Sequence, residues 1–107
     1  MSHGADQRAD RTATTVEFTA AGSLRVSAAV ARSYFPADAL VAIARGGELW
    51  LMPLVSTEGG GLLLKQRNPE GDRSTLIWEA LPPGVSPIGE RAAIWDHVNG
   101  ALRVDLR

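Results

Sequence analysis

The chain contains no cysteine. Disulfides, thiolate nucleophiles and cysteine-ligated zinc or iron–sulfur centres are therefore excluded. No apolar run approaches the roughly 18 residues that cross a bilayer. Met1 to Ala13 lacks the apolar core of a secretion signal. Neither sign of charge prevails: 11 Lys and Arg stand against 12 Asp and Glu, for a formal net charge of -1. Nothing in that balance draws the chain toward nucleic acid or an anionic membrane. Histidine is scarce, with His3 in a polar N-terminal stretch and His97 far along the chain. These absences lead to the expectation of a cytoplasmic protein with no membrane partner, no metal and no cofactor.

What is present is a short pattern used repeatedly. A glycine is followed by a small or polar residue, then Leu, any residue, and Val or Leu. It occurs as Gly22-Ser23-Leu24-Arg25-Val26, Gly47-Glu48-Leu49-Trp50-Leu51 and Gly100-Ala101-Leu102-Arg103-Val104, with a looser copy at Gly61-Leu62-Leu63-Leu64. Each copy reads as a turn that passes directly into a strand. At 107 residues and 45% hydrophobic content, one globular domain with its own core is expected. Residues 1–13 read as a disordered tail and 14–107 as a single β-rich domain.

Along that domain, Thr14 to Thr19 alternates, with Val16 and Phe18 on one face. Leu24 and Val26 return on the same face. Ser27 is a helix N-cap residue, the alanines after it favour helix, and Pro36 stops the helix at Phe35. Ala39 to Ala44 is apolar on both faces. Arg45-Gly46-Gly47 turns into Glu48 to Leu54, where Leu49 and Leu51 oppose Trp50 and Met52. Gly61 to Arg67 reads as a fifth strand and Asn68 to Asp72 as a turn. Arg73 to Leu81 reads as a sixth strand, with Leu76, Trp78 and Ala80 on its core face. Glu90 to Asp96 is a seventh, and Asn99-Gly100 is a strong hairpin signal before Ala101 to Leu106.

The expected fold is mainly β: a small barrel or two-layer sandwich of about eight short strands in consecutive hairpins, with one short helix at 27–35. The hairpin through Val41-Ala42-Ile43 and Leu49-Trp50-Leu51 resembles the one through Ala92-Ala93-Ile94 and Leu102-Arg103-Val104. Duplication and shared construction rules both account for this.

Catalytic groups are hard to assemble. Asp96 and His97 are neighbours in sequence and do not readily face each other as acid and base. Ser27, Ser33, Ser56 and Ser74 lack the Gly-x-Ser-x-Gly elbow, and the glycines at 59, 60 and 61 are not followed by the Lys-Ser/Thr of a phosphate loop. No enzyme is expected. The most polar folded stretch is Lys65 to Arg73. Lys65 and Arg67 share one strand face, and with Arg73 they could converge on an anion or an acidic partner, unless Asn68 and Asp72 neutralise them locally. Trp50 and Trp95 are core residues or, if exposed, interface anchors. The candidate partner-binding set is thus Lys65, Arg67, Asn68, Asp72, Arg73, Trp50 and Trp95.

Gly22-Ser23-Leu24-Arg25-Val26, Ala29-Val30, Arg32, Phe35 and Asp38 with Val41 carry a resemblance over Thr15 to Leu54. This stretch resembles the swapped-hairpin DNA-binding domains of the AbrB and MraZ type. Ser27 stands where that family places a proline before the helix, and Ala37-Asp38 where it has Gly-Asp. The resemblance implies a homodimer of interleaved hairpins that binds DNA through basic residues near the first strands, here Arg25 and Arg32.

Two functions follow as expectations. One is a non-enzymatic module that binds a protein partner, as an accessory or assembly factor. The other is an AbrB-like dimeric DNA-binding regulator or antitoxin. A small enzyme or ligand-binding barrel would need a polar pocket that these residues do not announce.

Overall fold

A computed structural model describes residues 13–107. The expected tail, His3 included, lies outside the described residues except for Ala13, which opens the first strand opposite Ile94. The strands are β1 (Ala13–Phe18), β2 (Ser23–Val26), β3 (Ala39–Arg45), β4 (Glu48–Pro53), β5 (Leu62–Leu63), β6 (Lys65–Gln66), β7 (Arg73–Leu76), β8 (Gly89–Asp96) and β9 (Ala101–Asp105). The helix α1 (Ala28–Tyr34) joins β2 to β3, and 3-10 turns cover Thr57–Gly59 and Trp78–Ala80.

Four antiparallel hairpins, β1–β2, β3–β4, β6–β7 and β8–β9, build the sheet. They lie side by side in the order β5-β3-β4-β9-β8-β1-β2-β7-β6. The strands at the two ends of that order, β5 and β6, are separated in the chain by Leu64 alone. The sheet therefore curls until its edges meet, giving a nearly closed barrel rather than a sandwich. Curling removes most of the free edge and encloses the apolar face.

The alternation read from sequence holds along most strands. Val16, Phe18, Leu24, Val26, Leu49, Leu51, Leu102 and Val104 are all buried together in one core. α1 begins where the Ser27 hydroxyl accepts from the Val30 amide at 3.2 Å, and it ends before Pro36. Its buried Val30 and Ala31, with Phe35 just beyond, pack onto those inward-facing side chains. The helix therefore fills space that the strands alone leave open.

The two similar hairpins pair with each other through β4 and β9. Leu49 faces Val104, Leu51 faces Leu102, and Trp50 faces Arg103 between them. Ile43 and Ile94 stand at matching outer positions, opposite Trp50 and Arg103. The sequence similarity thus becomes a local pseudo-two-fold about the Trp50–Arg103 pair.

Two expectations are corrected. Gly61 to Arg67 is not one strand with one partner: it divides at Leu64, β5 pairing with β3 and β6 with β7. Arg73 to Leu81 is not one strand either. β7 stops at Leu76, because the amides of Ile77 and Trp78 both turn to the carbonyl of Gly22, at 2.9 and 3.2 Å. The amides of Ala80 and Leu81 then close a 3-10 turn, and Pro82-Pro83 has no amide with which to resume a ladder. The faces change accordingly. Ile77 is buried at 2% exposure, whereas Leu76 and Trp78, expected in the core, are 60% and 58% exposed.

Candidate binding site at the barrel seam

The polar hairpin tip between β6 and β7 is a structural joint. Asn68 Oδ1 accepts from the amides of Gly71 and Asp72, each at 3.0 Å, and its Nδ2 donates to Asp72 Oδ2 at 3.0 Å. Asp72 Oδ1 accepts from the Ala28 amide at 3.0 Å and so anchors the start of α1. The Asn68 side chain, and then the Ala28 amide, hold the Asp72 carboxyl below its ordinary pKa. Arg73 is committed as well: its Nε lies 3.1 Å from Asp38 Oδ1, and the same guanidinium donates to the Gly71 carbonyl. Asp38 takes this position with a φ of 57°, a left-handed conformation that Asp tolerates better than most residues. Of the cations expected to converge, Arg73 is therefore spent on the fold. Lys65 and Arg67 are exposed and form no ion pair among the described residues.

Those two cations stand beside a groove of about 870 Å³ where the edges of the sheet meet. Leu62, Leu63 and Lys65 line one side, and Leu76, Trp78 and Ala80 line the other. Leu63, Leu76 and Trp78 are each at least 44% exposed, which gathers three large apolar side chains around one opening. Trp78 also borders a second groove of about 860 Å³, with Ser23 on one flank and Pro82, Val85 and Ile88 on the other. The indole is a ridge between the two grooves.

The other tryptophans have partners inside the chain. Trp50 lies between two guanidinium groups, Arg45 at 4.5 Å and Arg103 at 4.9 Å from its ring centroid, and its Nε1 donates to Glu48 at 3.0 Å. Arg103 is in turn held by Glu48 at 2.9 Å and Asp96 at 3.2 Å. Trp95 stacks on Tyr34 of α1, with ring centroids 4.8 Å apart and planes inclined by 18°. Both are half-buried. Arg25 is 3.8 Å from Glu17 on the neighbouring strand. Arg32 is exposed in the last turn of α1 and has no ion pair among the described residues.

Asp96 and His97 do not form a dyad. Asp96 Oδ1 accepts from the amides of Val98 and Asn99, and Oδ2 accepts from the Asn99 side chain and Arg103. The Asn99 side chain and backbone lead the interactions that keep its carboxyl below the ordinary range. No cluster of metal-ligating side chains occurs among the described residues, and no helix among them is long and apolar enough to cross a membrane.

Sequence reasoning reached Lys65 and Arg67 but missed Leu63, Leu76 and Trp78. One signal was present: residues 63, 65 and 67 share a face at strand period, so outward cations imply an outward Leu63. Compared with protein-family models, curated proteins and solved structures, the chain matches none.

Proposed function

We propose that this chain is a non-enzymatic module that binds a protein partner through the barrel seam and the Trp78 ridge. The exposure of Leu63, Leu76 and Trp78 around one groove carries this reading. Large apolar side chains gathered on a rigid surface favour association, and a tryptophan framed by pockets is the kind of anchor that dominates interface energies. Lys65 and Arg67 supply a charged rim, which sets partner choice and encounter rate more than affinity. Trp50 and Trp95, held by partners within the chain, line neither groove and are not part of this surface.

The test compares proteins retained by the intact chain with those retained by a Leu76→Asp, Trp78→Ser variant of unchanged thermal midpoint. A partner held by the first and lost by the second is the expected result. Equal retention by both overturns the reading.

The AbrB-like DNA-binding reading rests on Arg32, which presents an exposed guanidinium on the helix. The Glu17 carboxylate beside Arg25 and the formal net charge of -1 weigh against it. It requires a dimer whose retention on duplex DNA falls steeply with salt and is weakened by Arg32→Ala.

A further inference from the structure

The turn between β8 and β9 carries chemistry that the binding surface does not use. The chain has two asparagines, Asn68 and Asn99, and they differ in the residue that follows. An asparagine deamidates when the next backbone nitrogen attacks its side-chain carbonyl carbon. Pro69 follows Asn68, and a proline nitrogen has no proton to lose. Asn68 is also held at both ends, accepting from Gly71 and Asp72 and donating to Asp72. Gly100 follows Asn99, with no side chain to shield its nitrogen. No aspartate in the chain precedes a glycine, so only Asn99 can close onto a glycine nitrogen in this way.

The turn leaves that attack open. The Gly100 amide finds no acceptor among the described residues. Asn99 is exposed, and a Cβ on Gly100 would meet nothing within 4 Å. Hydroxide and water therefore reach the turn from outside, and a ring has room to form. Asn99 is also where a change of charge matters. Its Nδ2 donates to Asp96 Oδ2 at 2.9 Å, and Arg103 donates to the same oxygen at 3.2 Å. Asp96 Oδ1 accepts the amides of Val98 and Asn99, each at 3.1 Å. One carboxylate thus closes the turn and ties it to the guanidinium that lies against Trp50.

We propose that Asn99-Gly100 is a site of spontaneous deamidation that makes this hairpin end a one-way charge switch. The deprotonated Gly100 nitrogen bonds to Asn99 Cγ, the side-chain amino group leaves as ammonia, and a succinimide remains. Water then adds to one ring carbonyl and breaks its bond to the nitrogen, which regains its proton. Opening at Cγ gives aspartate, and opening at the backbone carbonyl gives isoaspartate. One water is consumed and one ammonia is released. Either product removes the donor to Asp96 and adds a second carboxylate beside the first. Like charges at that distance oppose each other, so the closed turn loosens. Arg103 keeps Glu48 at 2.9 Å but loses part of its hold on the turn.

The test holds the intact chain in mildly alkaline buffer made with heavy-oxygen water and then digests it in ordinary water. Cleavage after arginine places Asn99 in peptide 92–103 and Asn68 in peptide 68–73. Mass spectrometry is expected to find one heavy oxygen in place of the amino group in 92–103, in two isomers with the isoaspartyl form the larger, and none in 68–73. Gly100→Ala is expected to slow the gain severalfold. Asn99→Asp is expected to lower the thermal midpoint more than Asn99→Ala, because both lose the donor and only the first adds a charge. Peptide 92–103 unlabelled in the folded chain would overturn the proposal, whether or not it labels in urea. Equal labelling of 68–73, or a single aspartyl product, would overturn the ring-closing step. Equal midpoints for Asn99→Asp and Asn99→Ala would overturn the switch.

Discussion

The carbonyl of Gly22 accepts a hydrogen bond from the amide of Trp78 at 3.2 Å, and a Cβ on Gly22 would lie 3.1 Å from the Cβ of Trp78. The most exposed tryptophan is thus seated on the tightest point of the first hairpin. Its backbone is fixed while its ring is open to solvent, which is the preorganisation that reduces the entropic cost of binding. Gly22 also holds a φ of 85°, so any side chain there meets both strain and the indole. Gly22→Ala is expected to destabilise the fold by about 1 kcal/mol or more. It should also move the Trp78 indole N–H resonance, with those of Trp50 and Trp95 left in place. An unmoved Trp78 signal would show that the hairpin turn does not seat it.

Leu76 and Ile77 are neighbours with opposite fates. Leu76→Ser is expected to leave stability within about 0.5 kcal/mol of the parent, as for other exposed positions. Ile77→Ala is expected to cost about 2–5 kcal/mol, the range for emptying a buried aliphatic site. Chemical denaturation of the two variants reads the inward face of this segment directly, and a reversed order would restore the face assigned from sequence.

Asp72 joins the β6–β7 tip to the start of α1. Its folded-state pKa lies below the unfolded value of about 3.9, chiefly through Asn68 and then through the Ala28 amide. A depressed carboxylate pKa contributes stability that is present above the unfolded pKa and is lost as pH falls through the folded one. The thermal midpoint is therefore expected to hold from neutrality to about pH 4 and to decline below it. Asp72→Asn should lower the midpoint near neutrality and flatten the acid decline. Asp96, depressed by Asn99, contributes with the same sign, so an Asp72→Asn, Asp96→Asn variant should be flatter still.

Tyr34 and Trp95 pin the end of α1 to β8. A double-mutant cycle with Tyr34→Leu and Trp95→Leu is expected to give a coupling of about 0.5–1.5 kcal/mol, the range for a stacked aromatic pair. A coupling near zero would mean that the rings pack independently.

Ser27→Ala removes the hydroxyl that accepts from Val30. The loss is expected to be about 1 kcal/mol, and Ser27→Asp is expected to restore most of it. Equal stability for all three would show that Asp72 alone secures the helix start.

Much of this architecture is legible in local residue order. Ser27 and Pro36 bracket the helix because capping and the missing proline amide act within a turn. Gly22, Gly47 and Gly100 place three turns, since only glycine takes their positive φ without strain. Val16 with Phe18, and Leu102 with Val104, alternate against polar neighbours, so their inward face needs no knowledge of the partner strand. The candidate site was half legible. Lys65 and Arg67 could be chosen by polarity, but Leu76, Ile77 and Trp78 are all apolar, and an apolar run carries no alternation from which to read a face.

What the sequence determined by itself is the β class, the hairpin turns, the helix from Ala28 to Tyr34 and the inward side of the alternating strands, because each depends on interactions a few residues apart. Tertiary structure alone decided that Gly61 to Arg67 divides between two partners, that Arg73 serves Asp38, and that Trp78 stands in solvent while Trp50 and Trp95 find partners. Those outcomes depend on which edges meet when the sheet closes. Closure is settled by burial of the whole apolar face against the geometry of four hairpins, and no short stretch of chain encodes it.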